Sequence, residues 1–164
     1  MRPDDTNPGA SAPLAMMLAL ADSRLPVGGH VHSGGVEQAI TDGFIRTAGD
    51  LASFLYRRVT TSGLVAASVA AAVAGGGLDV PRAQRETDAR TPSAAARKAS
   101  LAQGRGMVRL ARRMWPDADW SAHRPSTHLP VISGSIGAVS SLSGFHTALI
   151  LVYTTMSGSA TAGQ

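Results

Sequence analysis

The stretch Leu18–Glu37, LALADSRLPVGGHVHSGGVE, decides the fold, because it packs turn formers, two histidines and two possible helix caps into one short segment. The apolar run Leu14–Ala21 leading into it predicts a helix. Pro26 fixes one φ angle, Gly28 and Gly29 permit positive φ, and Ser33 offers a cap for a second helix starting near Gly34. The expectation is a helix, a tight ordered loop and another helix. Glycines and proline here specify a shaped backbone more than a set of catalytic groups.

Composition extends that reading to the whole chain. A length of 164 residues suits one domain, since single cores peak at about 100–150 residues. Hydrophobic residues make up 44% but aromatic residues only 4%, so alanine, leucine and valine must fill the core. Strands draw on β-branched and aromatic residues, whereas an alanine-rich chain favours closely packed helices. The expected class is therefore all-α, a single-domain helical bundle over residues 14–164 behind a disordered N-terminal tail over residues 1–13.

That tail is polar and bears prolines, with no basic region leading into an apolar core and cleavage site, so no export signal is expected. The longest apolar run, Leu64–Ala74, contains Ser68 and falls well short of the ~20 residues of a spanning helix. No membrane role is therefore expected, and zero cysteines exclude disulfides and thiolate metal ligation and fit a cytoplasmic chain. Net charge is +4, yet Lys98 is the only lysine. Such an arginine skew beside abundant alanine and glycine points to a GC-rich genome rather than to a nucleic-acid function.

Punctuation then divides the chain. Asp42-Gly43 closes the second helix, and Thr47 with Asp50 three residues later reads as a capping box for a third, with Leu51, Phe54, Leu55 and Val59 on one face. Leu64–Ala74 reads as a buried helix ended by Gly75, Gly76 and Gly77. Asp79 before Pro81 and Thr91 before Pro92 look like further starts, the second opening a helix that runs to about Met114. Pro116–Thr127 lacks periodicity and reads as a loop. Two last helices follow, His128–Ser141, where Gly134 and Gly137 let another backbone come close, and Phe145 to about Met156.

Chemical candidates are few. His30 and His32 could grip a transition metal from one side, but two ligands cannot complete a shell. The simpler reading has one imidazole bonding the turn and the other exposed. Asp22 and Glu37 could form an acid/base pair, yet no nucleophile accompanies them, and Glu37 in a first helical turn suits the dipole. Gly104-Arg105-Gly106 lacks the pattern that holds nucleotide and magnesium. Gln103-Gly104 lies inside a predicted helix, where glycine costs about 1 kcal/mol against alanine, so close backbone packing is expected there. Glu86 and Arg90 stand one turn apart and suit a surface ion pair. Arg105, Arg109, Arg112 and Arg113 make a basic stripe, read as a solvated face or a dock for an acidic partner protein.

Asp22, Ser23, Leu25, Pro26, Gly28, Gly29, His32, Ser33, Gly35 and Glu37 closely resemble the N-terminal signature of the UreF family of urease accessory proteins. E-T-D-A-R at Glu86–Arg90, Gln103-Gly104 and H-L-P-V-I-S-G at His128–Gly134 follow in the family's order. The resemblance implies an all-helical, non-enzymatic adaptor that bridges UreD (also called UreH) on the urease apoprotein and the GTPase UreG for nickel insertion. It also implies a homodimer in the full-length family, no tightly bound cofactor, and nickel handled by the complex, with His30 and His32 as weak metal candidates. Partner-binding or structural roles then fall to Asp22, Ser23, Pro26, Gly28, Gly29, His32, Ser33, Glu37, Arg90 and Gln103. Family members continue past Tyr153–Gln164 with further helices, so the expectation is a C-terminally truncated form. The rivals are a small basic helical nucleic-acid-binding regulator using the arginine stripe, and a hydrolase using Asp22, His32 and Glu37.

Overall fold

The computed structural model describes residues 8–22, 25 and 34–161. Its helices are α1 (Pro8–Ala21), α2 (Val36–Thr41), α3 (Ala48–Arg58), α4 (Leu64–Ala74), α5 (Val80–Ala89), α6 (Ala94–Met114), α7 (Leu129–Val139) and α8 (Gly144–Thr161). No strand occurs among the described residues, so the all-α class is found.

Local chemistry sets most boundaries. At α3 the capping box is complete: Asp50 N donates to Thr47 Oγ1 at 3.1 Å and Thr47 N donates to Asp50 Oδ2 at 2.9 Å. Asp79 caps α5 by accepting from Arg82 N at 2.7 Å, with Pro81 in the first turn. Three starts differ from expectation. Helix α1 begins at Pro8 rather than Leu14, so part of the expected tail is helical. Helix α2 begins at Val36, because Gly34 and Gly35 hold φ of +66° and +95°, which an α-helix excludes. Helix α6 is capped by Ser93, whose Oγ accepts from Ala96 N, rather than by Thr91. Arg97 Nη1 reaches back to the Thr91 and Pro92 carbonyl oxygens at 2.6 and 2.9 Å, which keeps those two residues outside the helix.

Helix α4 is the centre of the bundle, flanked by α7 and α8, with α5 on α4 and α7, α6 on α7, and α1 on α8. Small residues make this possible. A Cβ on Gly134 would lie 2.7 Å from the Ala70 carbonyl oxygen, and one on Gly144 would lie 2.9 Å from that of Ala71, so α7 and α8 approach the α4 backbone directly. Gly137 instead faces the Thr147 side chain. The main core joins Leu20, Met107, Val108, Ala111, Trp120, Ile132, Ile136, Leu142 and Ile150. Satellites form from Val69, Val73, Ala83 and Val131, and from Val36, Ala39 and Ile45 with half-buried Leu51 and Phe54 against them. No helix among the described residues is long and apolar enough to cross a membrane.

Candidate functional site

The end of α1, the end of α3 and the middle of α6 converge on one cavity. Ala19 O accepts from Asp22 N, and Asp22 O accepts from Leu25 N, so the chain turns as soon as α1 stops. Asp22 and Leu25 line a cavity of about 150 Å³ together with Arg58, Gln103, Ser133 and the apolar side chains of Met107 and Ile136. Of the sequence candidates, Asp22 and Gln103 are thus brought together. Glu37 stands exposed in the first turn of α2, where its charge suits the helix dipole. Arg90 caps the end of α5 and pairs with Glu86; it does not reach the cavity wall. Ser23, Pro26, Gly28, Gly29, His30, His32 and Ser33 lie outside the described residues.

Arg58 was not foreseen. It ends α3 where the helix widens into a π-helical turn, Val59–Gly63, that runs on into α4. The hydroxyls of Thr60, Thr61 and Ser62 donate back to the Tyr56, Arg57 and Arg58 carbonyl oxygens, and such competing bonds ease the ladder out of α-helical register. Arg58 Nη1 then donates to Gly34 O at 2.6 Å, tying the start of the α2 segment to α3. A Cβ on Gly34 would overlap that guanidinium, and its φ of +66° lies in the left-handed region that favours glycine. Burial lowers the Arg58 pKa below its ordinary value, and among the described residues its Nε has no hydrogen-bond partner, nor has Ser133 Oγ on the same cavity.

A second polar centre lies at the start of α7. The His128 side chain is fully buried, with Nε2 at 2.9 Å from Asp88 Oδ1 and Nδ1 at 3.0 Å from Ser100 Oγ. An ionised carboxylate only accepts, so Nε2 carries the proton towards Asp88. Ser100 Oγ also accepts from Leu129 N at 3.2 Å, and Gln84 Oε1 accepts from His128 N at 2.9 Å while its Nε2 donates to Ser126 O. The first amides of α7, which helix geometry leaves without partners, are therefore satisfied by α5 and α6. Asp88, His128 and Ser100 bond in series, but Ser100 is engaged by the α7 amide and lines no wall of the cavity. The sequence placed His128 as the first residue of this helix and carried no sign of the buried centre; in the fold it is the N-cap residue of α7, and its side chain makes no cap bond.

Gly104 closes the arrangement. A Cβ there would overlap the Thr127 carbonyl oxygen and come within 3.0 Å of His128 C and Leu129 N, so α6 meets the α7 start backbone to backbone, as expected for Gln103-Gly104. In the loop before it, Trp120 Nε1 donates to Trp115 O at 2.9 Å and Trp120 is buried. His123 is buried beside it, which lowers its pKa, as does nearby Arg112, against an opposing pull from Asp119.

Comparison with known proteins matches these elements. The UreF family profile covers residues 45–164, which contain Glu86–Arg90, Gln103-Gly104 and His128–Gly134, and begins after the Leu18–Glu37 stretch. The chain is 63% identical over 151 residues to the urease accessory protein UreF of Mycobacterium sp. (strain JLS), covering 92% of this chain and 72% of that protein. Over the same spans it is 61% identical to UreF of Mycobacterium marinum and 58% identical to that of Mycobacterium tuberculosis. The profile and these identities together carry one conclusion: the chain belongs to the UreF family of urease accessory proteins.

Proposed function

We propose that the chain is a non-enzymatic adaptor in urease maturation. It docks UreD (UreH) on the urease apoprotein at one surface and the nickel-loaded GTPase UreG at another, so that nickel is delivered as cargo. It makes and breaks no covalent bonds, holds no cofactor tightly, works in the cytoplasm, and pairs with a second copy of itself. It acts on neither nucleic acid nor membrane. The observation that carries this reading is the 63% identity to a urease accessory protein over 92% of the chain. The convergence of Asp22, Gln103 and Arg58 on one cavity supports a shaped docking region at the end of α1.

Co-expression with UreD, without and with UreG, followed by size-exclusion chromatography, tests it. Co-elution with UreD and recruitment of UreG are the expected results. A folded chain that elutes alone in the presence of both proteins and urease apoprotein overturns the reading.

A further inference from the structure

Helix α6 carries six cations and no carboxylate over its 21 residues. Arg97 is turned back onto the Thr91 and Pro92 carbonyls. Lys98, Arg105, Arg109, Arg112 and Arg113 point elsewhere. With 3.6 residues per turn they fall within an arc of roughly 100°, and at 1.5 Å rise per residue they extend over about 22 Å of helix. All five are exposed, whereas Gly104, Gly106, Met107, Val108 and Ala111 bury the other side.

None of these five cations forms an ion pair among the described residues. Elsewhere Arg82 and Arg90 flank Glu86 and Arg46 donates to Gly43 O, while exposed Arg57, Arg85 and Arg124 form no ion pair among the described residues but stand singly rather than in a row along one helix face. The helix dipole favours Arg112 and Arg113, which stand in the last turn, but not Lys98, Arg105 or Arg109. Like charges one turn apart cost an isolated helix about 0.2–0.5 kcal/mol per pair, so the fold gains nothing from this spacing. Arg112 Nη2 donates to His123 O at 3.1 Å, which ties the end of the stripe to the loop after α6. Asp119 in the same loop is turned to the Ser121 amide.

We infer that this face of α6 docks an acidic surface of a partner protein, one that presents carboxylates at about one-turn intervals along a helix or groove. Single-stranded nucleic acid would answer the same charge but also uses stacking rings, and duplex binding is one outcome of the test. Here Trp120 is buried and Trp115 packs against the core, leaving the stripe without an exposed ring. The inference rests on the adaptor reading, which makes the partner urease apoprotein or an accessory protein bound to it.

The test immobilises the full chain and presents urease apoprotein with its other accessory proteins at low and moderate ionic strength. The variants are R105E/R109E/R113E and R105K/R109K/R113K; Arg112 is kept because it holds the loop. Retention by the wild type that weakens with salt, falls about tenfold or more in the reversal and survives in the lysine set is the expected result. Unchanged melting curves show that the variants fold. Wild-type retention by the reversal overturns the inference while the adaptor reading stands. No retention of any urease component by the wild type overturns both. Tight, salt-sensitive binding of a short DNA duplex in place of protein moves the face to nucleic acid.

Discussion

Replacing Gly104 by alanine separates two opposed effects. Alanine gains about 1 kcal/mol of helix propensity over glycine in the middle of α6. Its methyl group would overlap the Thr127 carbonyl oxygen and crowd His128 C and Leu129 N at 3.0 Å, all of them backbone atoms that no rotamer change can move aside. Overpacking of this kind costs about 1–3 kcal/mol, and a clash with backbone belongs at the upper end, so the expected net loss is about 2 kcal/mol. For a domain of this size that lowers Tm by roughly 4–8 °C. Gly158→Ala in α8 is the control, because a Cβ there meets nothing within 4 Å and should raise stability by about 0.5–1 kcal/mol. Calorimetry of both variants decides the matter. If Gly104→Ala raises Tm as Gly158→Ala does, α6 and the α7 start do not meet backbone to backbone. The displaced peptide also carries the Leu129 amide held by Ser100, so Gly104→Ala and Ser100→Ala should be non-additive in a double-mutant cycle.

Ser100→Ala alone removes the acceptor of the Leu129 amide and one partner of buried His128, and should cost about 1–3 kcal/mol in denaturant melts. Thr47→Ala removes half of the α3 capping box and should cost about 1 kcal/mol, with amide exchange rising first at the start of α3. His123 titrates near 6.5 when unfolded and lower when folded, chiefly because it is buried. The folded state then binds fewer protons just below pH 6.5, so its stability is full above that value and falls as pH drops through the window. His123→Phe should flatten that slope in melting curves between neutral and mildly acidic pH; an unchanged slope assigns it to other groups. Phe145, Leu149, Tyr153 and Met156 expose 72%, 44%, 56% and 41% of their surface at one-turn spacing on α8. Concentration-dependent association in sedimentation velocity, abolished by F145S/Y153S without a lower Tm, is the expected result.

What the sequence disclosed was set by range. The Thr47–Asp50 box, the Asp79 cap with Pro81 behind it, and the stop at Trp115-Pro116 each involve residues a few positions apart, so their chemistry is complete within the segment. Ser93 displaced Thr91 as the α6 cap through Arg97, a residue inside the helix whose reach back to two carbonyls no cap rule contains. The π-helical turn after Arg58 was similarly hidden, since three consecutive hydroxyl residues announce a competing set of bonds but not which register prevails.

Across longer separations the sequence marked positions without their partners. Glycine at 104 showed that something had to come close, and only the fold shows that it is the peptide running from Thr127 to Leu129. His128 lies 40 residues from Asp88 and 28 from Ser100, so the contacts that fix its ring depend on α5, α6 and α7 having already assembled. These two positions explain each other. With no Cβ at 104, α6 comes near enough for Ser100 to reach both the Leu129 amide and the His128 ring, and Gln84 from α5 completes the set at the His128 amide. A larger residue at 104 would part α6 from the α7 start and take Ser100 away from the Leu129 amide and from His128 Nδ1, a loss of about 1–3 kcal/mol, while Gln84 and Asp88 on α5 keep the His128 amide and Nε2. The Gln103-Gly104 and His128–Gly134 blocks therefore describe one joint between helices. The same joint turns the cationic side of α6 outward, because burying Gly104, Val108 and Ala111 leaves Arg105, Arg109 and Arg113 facing solvent.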